Sequence, residues 1–245
     1  VLKPSFNQLE AVTITAGAFE ASDKMKSVEL KTLDIVTTAG ALGDISGALQ
    51  TLPGTTTVGE SGRLFVRGGD HTETQTYIDG ILVPTPYTSS APNLSVRGRF
   101  NPFIFSGTIF SVGAYSAEYG QALSSVLQLN TTDLPQENKT DVSLMTVGAS
   151  AATTQLWKNG AATATVDYLN ITPYTELVSQ NVDWIKPIES LDGELSLRQK
   201  TKGNGMFKLY GKLGQANMKM NLVDLDASVG RTPFELQNDN IYLNS

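Results

Sequence analysis

Several residue types that build common functional sites are scarce in this sequence. Its 245 residues include no cysteine and one histidine, His71. The lack of cysteine excludes disulfide frameworks, zinc–thiolate sites and a cysteine nucleophile, and one histidine leaves little basis for a multi-histidine metal centre. His71 lies in a polar Gly-Gly-Asp-His-Thr-Glu stretch, which is typical of an exposed turn. We therefore expect no enzyme activity, no metal site and no cofactor.

Excess basic charge and long hydrophobic runs are also missing. The chain has 18 Lys and Arg against 24 Asp and Glu, giving a net charge of −6. This balance disfavours a nucleic-acid partner, because phosphate binding needs a basic face. The sequence has no apolar run of about 18 residues, which excludes a transmembrane helix. Barrel strands would escape this test, since their alternating side chains average out in hydropathy.

The most informative stretch spans residues 51–80. Residues 63–67 alternate charged and apolar side chains, as a half-buried strand does, with Arg63 and Arg67 on one face. Gly68, Gly69 and Asp70 then predict a tight turn with positive φ angles. A β-rich strand from Thr74 to Ile78 follows, and Asp79-Gly80 is a second turn dipeptide.

This arrangement resembles the plug domain of TonB-dependent outer-membrane receptors, in which a strand ending in Arg-Gly precedes a strand ending in Ile-Asp-Gly. The Leu-Pro-Gly turn at residues 52–54 matches the family, as does a preceding short helix with Leu42, Ile45 and Leu49 on one face. The family's closing segment is similar to residues 113–120, where the matching residues are Gly113, Ser116, Ala117, Tyr119 and Gly120. The resemblance covers residues 9–132, and we assign it to the Bacteroidetes type.

The resemblance implies a fold in three parts. We predict an N-terminal extension at residues 1–17 and an α+β plug domain, a small mixed sheet with short helices, at residues 18–133. Residues 134–245 are predicted to form the first antiparallel strands of a large transmembrane β-barrel, incomplete in this chain. We expect about five strands and the start of another, whereas a plugged transporter barrel needs about 22.

Alternation and turn lengths support the barrel prediction. Leu191, Leu195 and Leu197 alternate with polar residues, which is typical of a strand with one apolar face. Tight turns are predicted at residues 158–160 and 202–205, with long connections at the opposite strand ends, as outer-membrane barrels have. The aromatic residues at strand ends would suit interfacial girdles, whereas in a soluble sandwich they would be core; they are Trp157, Tyr174 and Trp184. From Gln215 the apolar phase shifts, through either a bulge or an exit from the bilayer.

The resemblance also implies roles for individual residues. An N-terminal strand would be recognised by TonB through addition to the edge of TonB's sheet; its contact residues are Val12, Thr13, Ile14 and Thr15. Arg63 and Arg67 are predicted to latch the plug to acidic wall residues, for which Asp192 and Glu194 are candidates without an assigned pairing. A long loop at residues 83–101 is expected to face the ligand through Tyr87, Arg97, Arg99 and Phe100. The expected plug turns are Gly68, Gly69, Asp79, Gly80, Tyr119 and Gly120.

By resemblance, the function is energised nutrient uptake through a gated pore in the outer membrane of a Gram-negative bacterium. The expected partners are TonB with its inner-membrane energising complex, outer-membrane lipid, a small-molecule or oligosaccharide ligand, and a surface lipoprotein of SusD type. Two alternatives remain open. One is a receptor-like structural subunit of an outer-membrane complex, and the other is a soluble extracellular β-sandwich that acts as an adhesin or carbohydrate binder.

Overall fold

The computed structural model describes residues 27–41, 43–59, 61–92, 94–203, 205–223 and 230–245. The predicted TonB-contact residues, Val12, Thr13, Ile14 and Thr15, lie outside this set, as does Leu42 of the predicted helix. The described residues form an N-terminal domain built on a five-stranded mixed sheet, followed by a six-stranded antiparallel sheet. A separate two-stranded ribbon belongs to the N-terminal domain.

The N-terminal domain contains short elements. Its helices are α1 (Thr32–Thr37) and α2 (Ile45–Leu49), with 3₁₀ turns at His71–Glu73 and Pro102–Ile104. Its strands are β1 (Ser27–Leu30), β2 (Thr55–Thr56), β3 (Phe65–Val66), β4 (Thr74–Ile78), β5 (Ile81–Leu82), β6 (Phe105–Ser111) and β7 (Ser125–Thr131). The mixed sheet has the order β1-β6-β7-β4-β5, in which β4 and β7 run parallel and the other neighbours antiparallel.

Apolar side chains from both helices pack on one face of the mixed sheet. Ile35 of α1 and Leu49 of α2 are buried with Phe110 of β6 in one hydrophobic cluster. Asp44 begins α2 as its N-cap, accepting a hydrogen bond from the Gly47 amide at 3.3 Å. This cap satisfies one of the free amides at the helix start, which fixes the helix position on the sheet.

The structure corrects the prediction for residues 63–70. Only Phe65 and Val66 form a strand, β3, so Arg63 and Arg67 do not share a face of one strand. The positive φ angles belong to Arg67 (50°) and Gly68 (78°), one position earlier than predicted. At Asp79 and Gly80 the predicted turn has positive φ at both residues, 48° and 83°.

The second half of the chain forms a meander of long strands. They are β8 (Lys139–Met145), β9 (Gly148–Trp157), β10 (Gly160–Asn170), β11 (Asp183–Lys200), β12 (Met206–Val223) and β13 (Arg231–Asn244). All pairs of neighbours are antiparallel. The tight β9–β10 and β11–β12 connections lie where the sequence predicts them. The connection between β10 and β11 contains a third helix, α3 (Thr172–Leu177), where the sequence pattern predicts only a long connection.

The two faces of the antiparallel sheet have opposite character. On the face turned away from the N-terminal domain, Leu195, Leu213 and Ile241 are 50%, 59% and 79% exposed. On the face turned toward it, Glu194, Arg198 and Lys212 are all less than 9% exposed. The antiparallel sheet therefore exposes its apolar face and buries its charged face, whereas the mixed sheet buries its apolar side chains.

The register of strand β12 tests the two explanations for the change at Gln215 in which alternate residues are apolar. It pairs with β13 in unbroken register from Tyr210 to Val223, while the register shifts against β11 occur near Lys186. At 18 residues, β12 is longer than the 9–11 residues that a tilted strand needs to cross a bilayer. A bulge in β12 therefore does not explain the phase shift, and exit from a bilayer stays a prediction. Among the described residues, no helix combines the length and the apolar composition needed to span a membrane.

Candidate functional site

The two sheets contact each other near the tight turns of the antiparallel sheet. Lys208 of β12 donates a hydrogen bond from Nζ to the Thr131 carbonyl at 3.0 Å, at the end of β7. The same Nζ lies 3.7 Å from Asp79 Oδ1 and 3.1 Å from Asp133 Oδ1. Asn244 of β13 donates to the Ile78 carbonyl at 3.0 Å. The ends of β4 and β7 are thus attached to the last two described strands of the antiparallel sheet.

On the mixed-sheet side, Asp79 is the residue that bonds to both Thr131 and Lys208. Its Oδ1 accepts the Thr131 amide at 2.9 Å and its Oδ2 accepts the Thr131 hydroxyl at 2.5 Å. Asp is one of the few residues that tolerate a left-handed backbone, here with φ of 48°. The Asp79-Gly80 turn therefore joins β4 to β7 and presents a carboxylate to Lys208.

A second, aromatic contact lies further along the same strands. The Phe100 ring is 5.2 Å from the Tyr242 ring and 6.2 Å from the Tyr210 ring, measured between centroids. The Arg99 guanidinium carbon lies 5.8 Å from the Phe100 and Tyr242 ring centroids. Three rings and one guanidinium thus fill this part of the interface.

The inner face of the antiparallel sheet carries its own ion pairs beside the aromatic contact. Lys212 Nζ lies 2.7 Å from Glu194 Oε1 and 3.5 Å from Asp192 Oδ1. Glu194 and Asp192 therefore pair with a lysine on the neighbouring strand. The described contacts give neither carboxylate a bond to Arg63 or Arg67.

The predicted latch arginines lie within the N-terminal domain. The Arg63 carbonyl accepts a hydrogen bond from Gln50 at 2.7 Å, and its Nε is buried without a partner. Arg67 is exposed, and its Nη1 lies close to Gly113. A Cβ added at Gly113 would be 3.0 Å from Arg67 Nη1. In this structure the ion pair between the sheets is instead Asp79 with Lys208, a carboxylate from the N-terminal domain and a cation from the other sheet. The latch role of Arg63 and Arg67 stays a prediction.

The loop expected to face a ligand folds back on itself. Tyr87 and Gly98 form a β-bridge, and the Arg97 carbonyl accepts the Thr88 amide at 2.9 Å. Arg97 is exposed and Tyr87 half-buried, with its hydroxyl accepting the Leu64 amide at 3.1 Å. Arg99 and Phe100, by contrast, are buried against the antiparallel sheet, which differs from the exposed position that the sequence predicts. Ligand contact by these four residues stays a prediction.

The remaining predicted residues lie in turns of the N-terminal domain. The Tyr119 ring packs edge-on against Tyr77 at 5.0 Å, and burial raises the pKa of the Tyr119 phenol. Gly69 and Gly120, unlike Gly68 and Gly80, have no positive φ. An added Cβ at Gly69 would lie 2.7 Å from Ser124, so the close approach of this chain segment requires glycine there.

His71 lies in a local turn cluster. Its Nδ1 is 2.8 Å from Asp70 Oδ1, and its ring meets the Phe65 and Tyr87 rings edge-on. Hydrogen bonds from the Thr72 amide and hydroxyl lower the pKa of Asp70. No group of three or more His, Cys, Asp or Glu residues suited to a metal ion exists in the part of the chain that the structure describes.

Sequence reasoning missed the wall residues that receive the N-terminal domain. Lys208, Tyr210 and Tyr242 alternate with apolar residues along β12 and β13, and in the sequence Tyr210 only breaks a polar row. Their inward position follows from register, because Tyr210 pairs with Asn244 and Lys212 with Tyr242. The signal that could have identified the inward face is that aromatic and charged residues occupy the same set of alternate positions along the strand.

The fold is similar to that of the siderophore receptor PirA from Pseudomonas aeruginosa, with a TM-score of 0.51 and 14% identity over 90% of this chain and 43% of that chain. The copper transporter OprC matches with a TM-score of 0.55 and 11% identity over 89% of this chain and 35% of that one. The hemophore receptor HasR from Serratia marcescens matches with a TM-score of 0.54 and 12% identity, over 89% and 38%. No protein-family model and no curated protein matches the sequence.

These neighbours are TonB-dependent outer-membrane receptors, and the chain spans less than half of their length. The predicted fold class is thereby confirmed: a plug domain lies against the first strands of a barrel wall, which stays open within the described residues. The matched folds belong to receptors and transporters rather than enzymes. The Bacteroidetes type, the SusD-type partner and the domain boundaries at 17 and 133 stay predictions.

Proposed function

We propose that this chain is the plug and the first wall strands of a TonB-dependent outer-membrane receptor that takes up a scarce nutrient. One observation carries the proposal: a small α+β domain is docked on the charged face of a sheet whose opposite face is apolar and uncovered. A water-filled pore closed by a plug needs this arrangement, because lipid faces the outside of the wall and the plug faces the inside.

The outer face of the sheet supports a membrane position over a soluble sandwich. Leu195, Leu213 and Leu243 are 50%, 59% and 69% exposed on the three neighbouring strands β11, β12 and β13. A sandwich would cover such a row with a second sheet, whereas the N-terminal domain lies on the other face. Exposed apolar surface of this extent is stable where lipid replaces water.

Two hydrogen-bonded aromatic residues border the apolar band. Trp157 Nε1 donates to Gln199 at 2.8 Å near the tight turns, and the Tyr168 hydroxyl donates to Glu189 at 2.9 Å toward the longer connections. The strand from Gly160, the partner of Trp157, to Tyr168 measures roughly 27 Å at about 3.4 Å per residue. At the strand tilt of about 35–45° that outer-membrane barrels have, this length corresponds to a height of roughly 20 Å, which fits within an apolar band of about 25 Å.

The neighbours' ligands support the class of function and not a particular substrate. The named proteins are a siderophore receptor, a copper transporter and a hemophore receptor. For this chain we propose binding of a small molecule such as a metal chelate or an oligosaccharide, followed by rearrangement of the plug. TonB would act through residues 12–15, whose alternation suits strand addition to a partner's sheet.

The plug role can be tested without knowing the ligand. The full-length receptor is produced in a vancomycin-resistant Gram-negative host, intact or with residues 18–133 deleted. Deletion should open the pore and make the cells sensitive to vancomycin, which is too large for general porins. Equal resistance of the two strains, with both proteins present in the outer membrane, would contradict a plugged pore.

TonB dependence needs a separate experiment. Ile14→Pro removes a backbone donor that strand addition requires, so capture of the purified TonB C-terminal domain by the full-length receptor should fall at least tenfold. Ile14→Val is the matched control and should bind as the wild type does. Full binding by the proline variant would exclude this segment as the contact. Absence of TonB binding by the wild type would favour the structural-subunit alternative.

A further inference from the structure

Arg99 occupies an unusual environment for a buried cation. The side chain is only 9% exposed, and its Nη1 donates to the Thr85 carbonyl at 3.2 Å and to the Thr85 hydroxyl at 3.1 Å. Its guanidinium carbon lies 5.8 Å from two ring centroids, those of Phe100 and Tyr242. Within the described residues, no ion pair with a carboxylate accompanies these contacts. The charge is therefore met mainly by aromatic faces.

The wall side of this environment is built from two inward-facing tyrosines. Tyr210 and Tyr242 lie 6.0 Å apart between ring centroids, and both belong to the row that faces the plug. Aromatic ring faces are a feature by which proteins recognise guanidinium and quaternary ammonium groups.

The Arg99 guanidinium is only partly paired. Its Nε makes no hydrogen bond, whereas the Tyr210 hydroxyl lies within reach of Glu194 and the Tyr242 hydroxyl within reach of Asn244. Glu194 Oε1 already pairs with Lys212 Nζ at 2.7 Å, so the wall offers Arg99 ring faces and not a free carboxylate.

From these observations we infer that the Tyr210 and Tyr242 rings form a cation-binding site on the barrel wall, which Arg99 of the plug occupies as an internal ligand. When the plug shifts, the site becomes free for a guanidinium or ammonium group of the transported molecule. This second step rests on the proposed gating function, whereas occupancy of the site by Arg99 does not. The inference narrows the substrate class to molecules that carry such a cation.

The first experiment uses ethylguanidinium as the probe and ethylurea as its neutral control. Arg99→Gly in the purified full-length receptor removes the internal ligand and leaves a cavity on the rings. Isothermal titration should then detect ethylguanidinium binding in the millimolar range, at least tenfold tighter than ethylurea. Wild type should show no binding, because Arg99 fills the site. Binding to wild type, or equal binding of the two probes to the variant, would overturn the inference.

A second variant locates the site on the wall. Tyr242→Leu in the Arg99→Gly background removes one aromatic face and should weaken ethylguanidinium binding at least tenfold. The receptor lacking residues 18–133 should bind the probe too, since the wall residues remain and the plug is gone. Unchanged affinity after Tyr242→Leu would overturn the assignment of the tyrosine rings to the site. No binding to the plugless receptor would mean that the site is not available to a substrate.

A folding defect in Arg99→Gly would not prevent the test. In that case the variant is refolded from urea into detergent with either probe, and its heat-modifiable mobility is measured. Recovery with ethylguanidinium but not with ethylurea supports the site. No recovery with either, while Arg99→Lys refolds normally, overturns it. These measurements involve no transport, so they remain interpretable even where the vancomycin experiment contradicts the plugged pore.

Discussion

The mixed sheet of the plug and the antiparallel sheet of the wall use the same residue types on opposite sides. In the plug, Phe105, Phe110 and Leu129 are at most 2% exposed and the core is apolar. In the wall, leucine and isoleucine point outward, while Glu194, Arg198 and Lys212 are buried under the plug. The difference teaches that burial alone does not identify the apolar face of a sheet, because in the proposed membrane position lipid replaces water outside the wall.

The opposite placement of apolar and charged side chains in the two sheets, here called the inversion, explains why the contact between the sheets is polar. The plug presents Asp79 and Arg99 to a wall row that carries Lys208, Tyr210 and Tyr242. A contact of hydrogen bonds and ring faces can be separated and re-formed at lower cost than a packed apolar core, since water can replace many of its partners. Substitutions on each side of the inversion therefore have different expected effects.

The largest effect is expected inside the plug. Phe110→Ala removes a side chain that is 1% exposed and leaves a cavity, which should lower the free energy of unfolding of the plug by about 3–5 kcal/mol. Phe103→Ala, at a position that is 63% exposed, is the matched control and should cost less than about 1 kcal/mol. Pulse proteolysis of the full-length receptor in urea measures both. Equal losses would mean that Phe103 is also covered in the complete barrel.

A somewhat smaller effect is expected at the buried ion pair of the wall. Lys212→Met leaves Glu194 without its cation and should destabilise the receptor by about 3 kcal/mol. Lys219→Met breaks the exposed pair with Glu235 and should change stability by about 1 kcal/mol or less. Urea unfolding in detergent micelles compares them. If Lys212→Met has no more effect than Lys219→Met, water or another cation must already neutralise Glu194.

The wall pattern could be predicted from sequence because it is local. The alternation of Leu191, Leu195 and Leu197, and the tight turns near residues 159 and 203, determine strand and hairpin within about 20 residues. Strand β4 and the Asp79-Gly80 turn are equally local. Arg67 shows the limit: charge alternation indicates a strand through residue 67, but the chain turns there with Arg67 in the left-handed region.

The contact between the sheets could not be predicted, because its partners are far apart in the sequence. Lys208 bonds to Thr131 across 77 residues, and Asn244 bonds to Ile78 across 166. Such pairings depend on the register of two sheets and on how one docks on the other. Arg99 and Phe100 were assigned to an exposed loop for the same reason, since nothing near them in the sequence indicates the tyrosines that cover them.

Charge on the outer face should have an effect only within the apolar band. Leu195→Arg places a guanidinium where lipid is expected and should destabilise the inserted receptor by about 2 kcal/mol. Gln215→Arg lies on the same outer face in the border row that contains Tyr168 and Leu191, and should cost about 1 kcal/mol or less. Unfolding from phospholipid vesicles measures the difference. Equal tolerance of both arginines would place the band elsewhere and weaken the membrane assignment.

The smallest effect is expected at Asp44, where the pKa offers a test inside the plug. Burial raises the pKa of this carboxyl, against the hydrogen bonds from the Gly98 amide at 2.9 Å and the Gly47 amide at 3.3 Å, which lower it. A raised pKa in the folded state means that the folded plug binds the proton more tightly. Asp44 should therefore make the plug less stable as the pH rises from about 4 through the folded pKa, and the loss is complete above it.

Asp44→Asn removes this titration and one of the two accepted hydrogen bonds. We expect it to cost about 1 kcal/mol, with the largest difference from wild type near pH 4 and a smaller one at pH 7. Urea unfolding of the plug at several pH values measures this difference. A wild-type advantage that grows with pH would mean that the Gly47 and Gly98 amides outweigh burial, and that the carboxylate is stabilised in place as the helix cap.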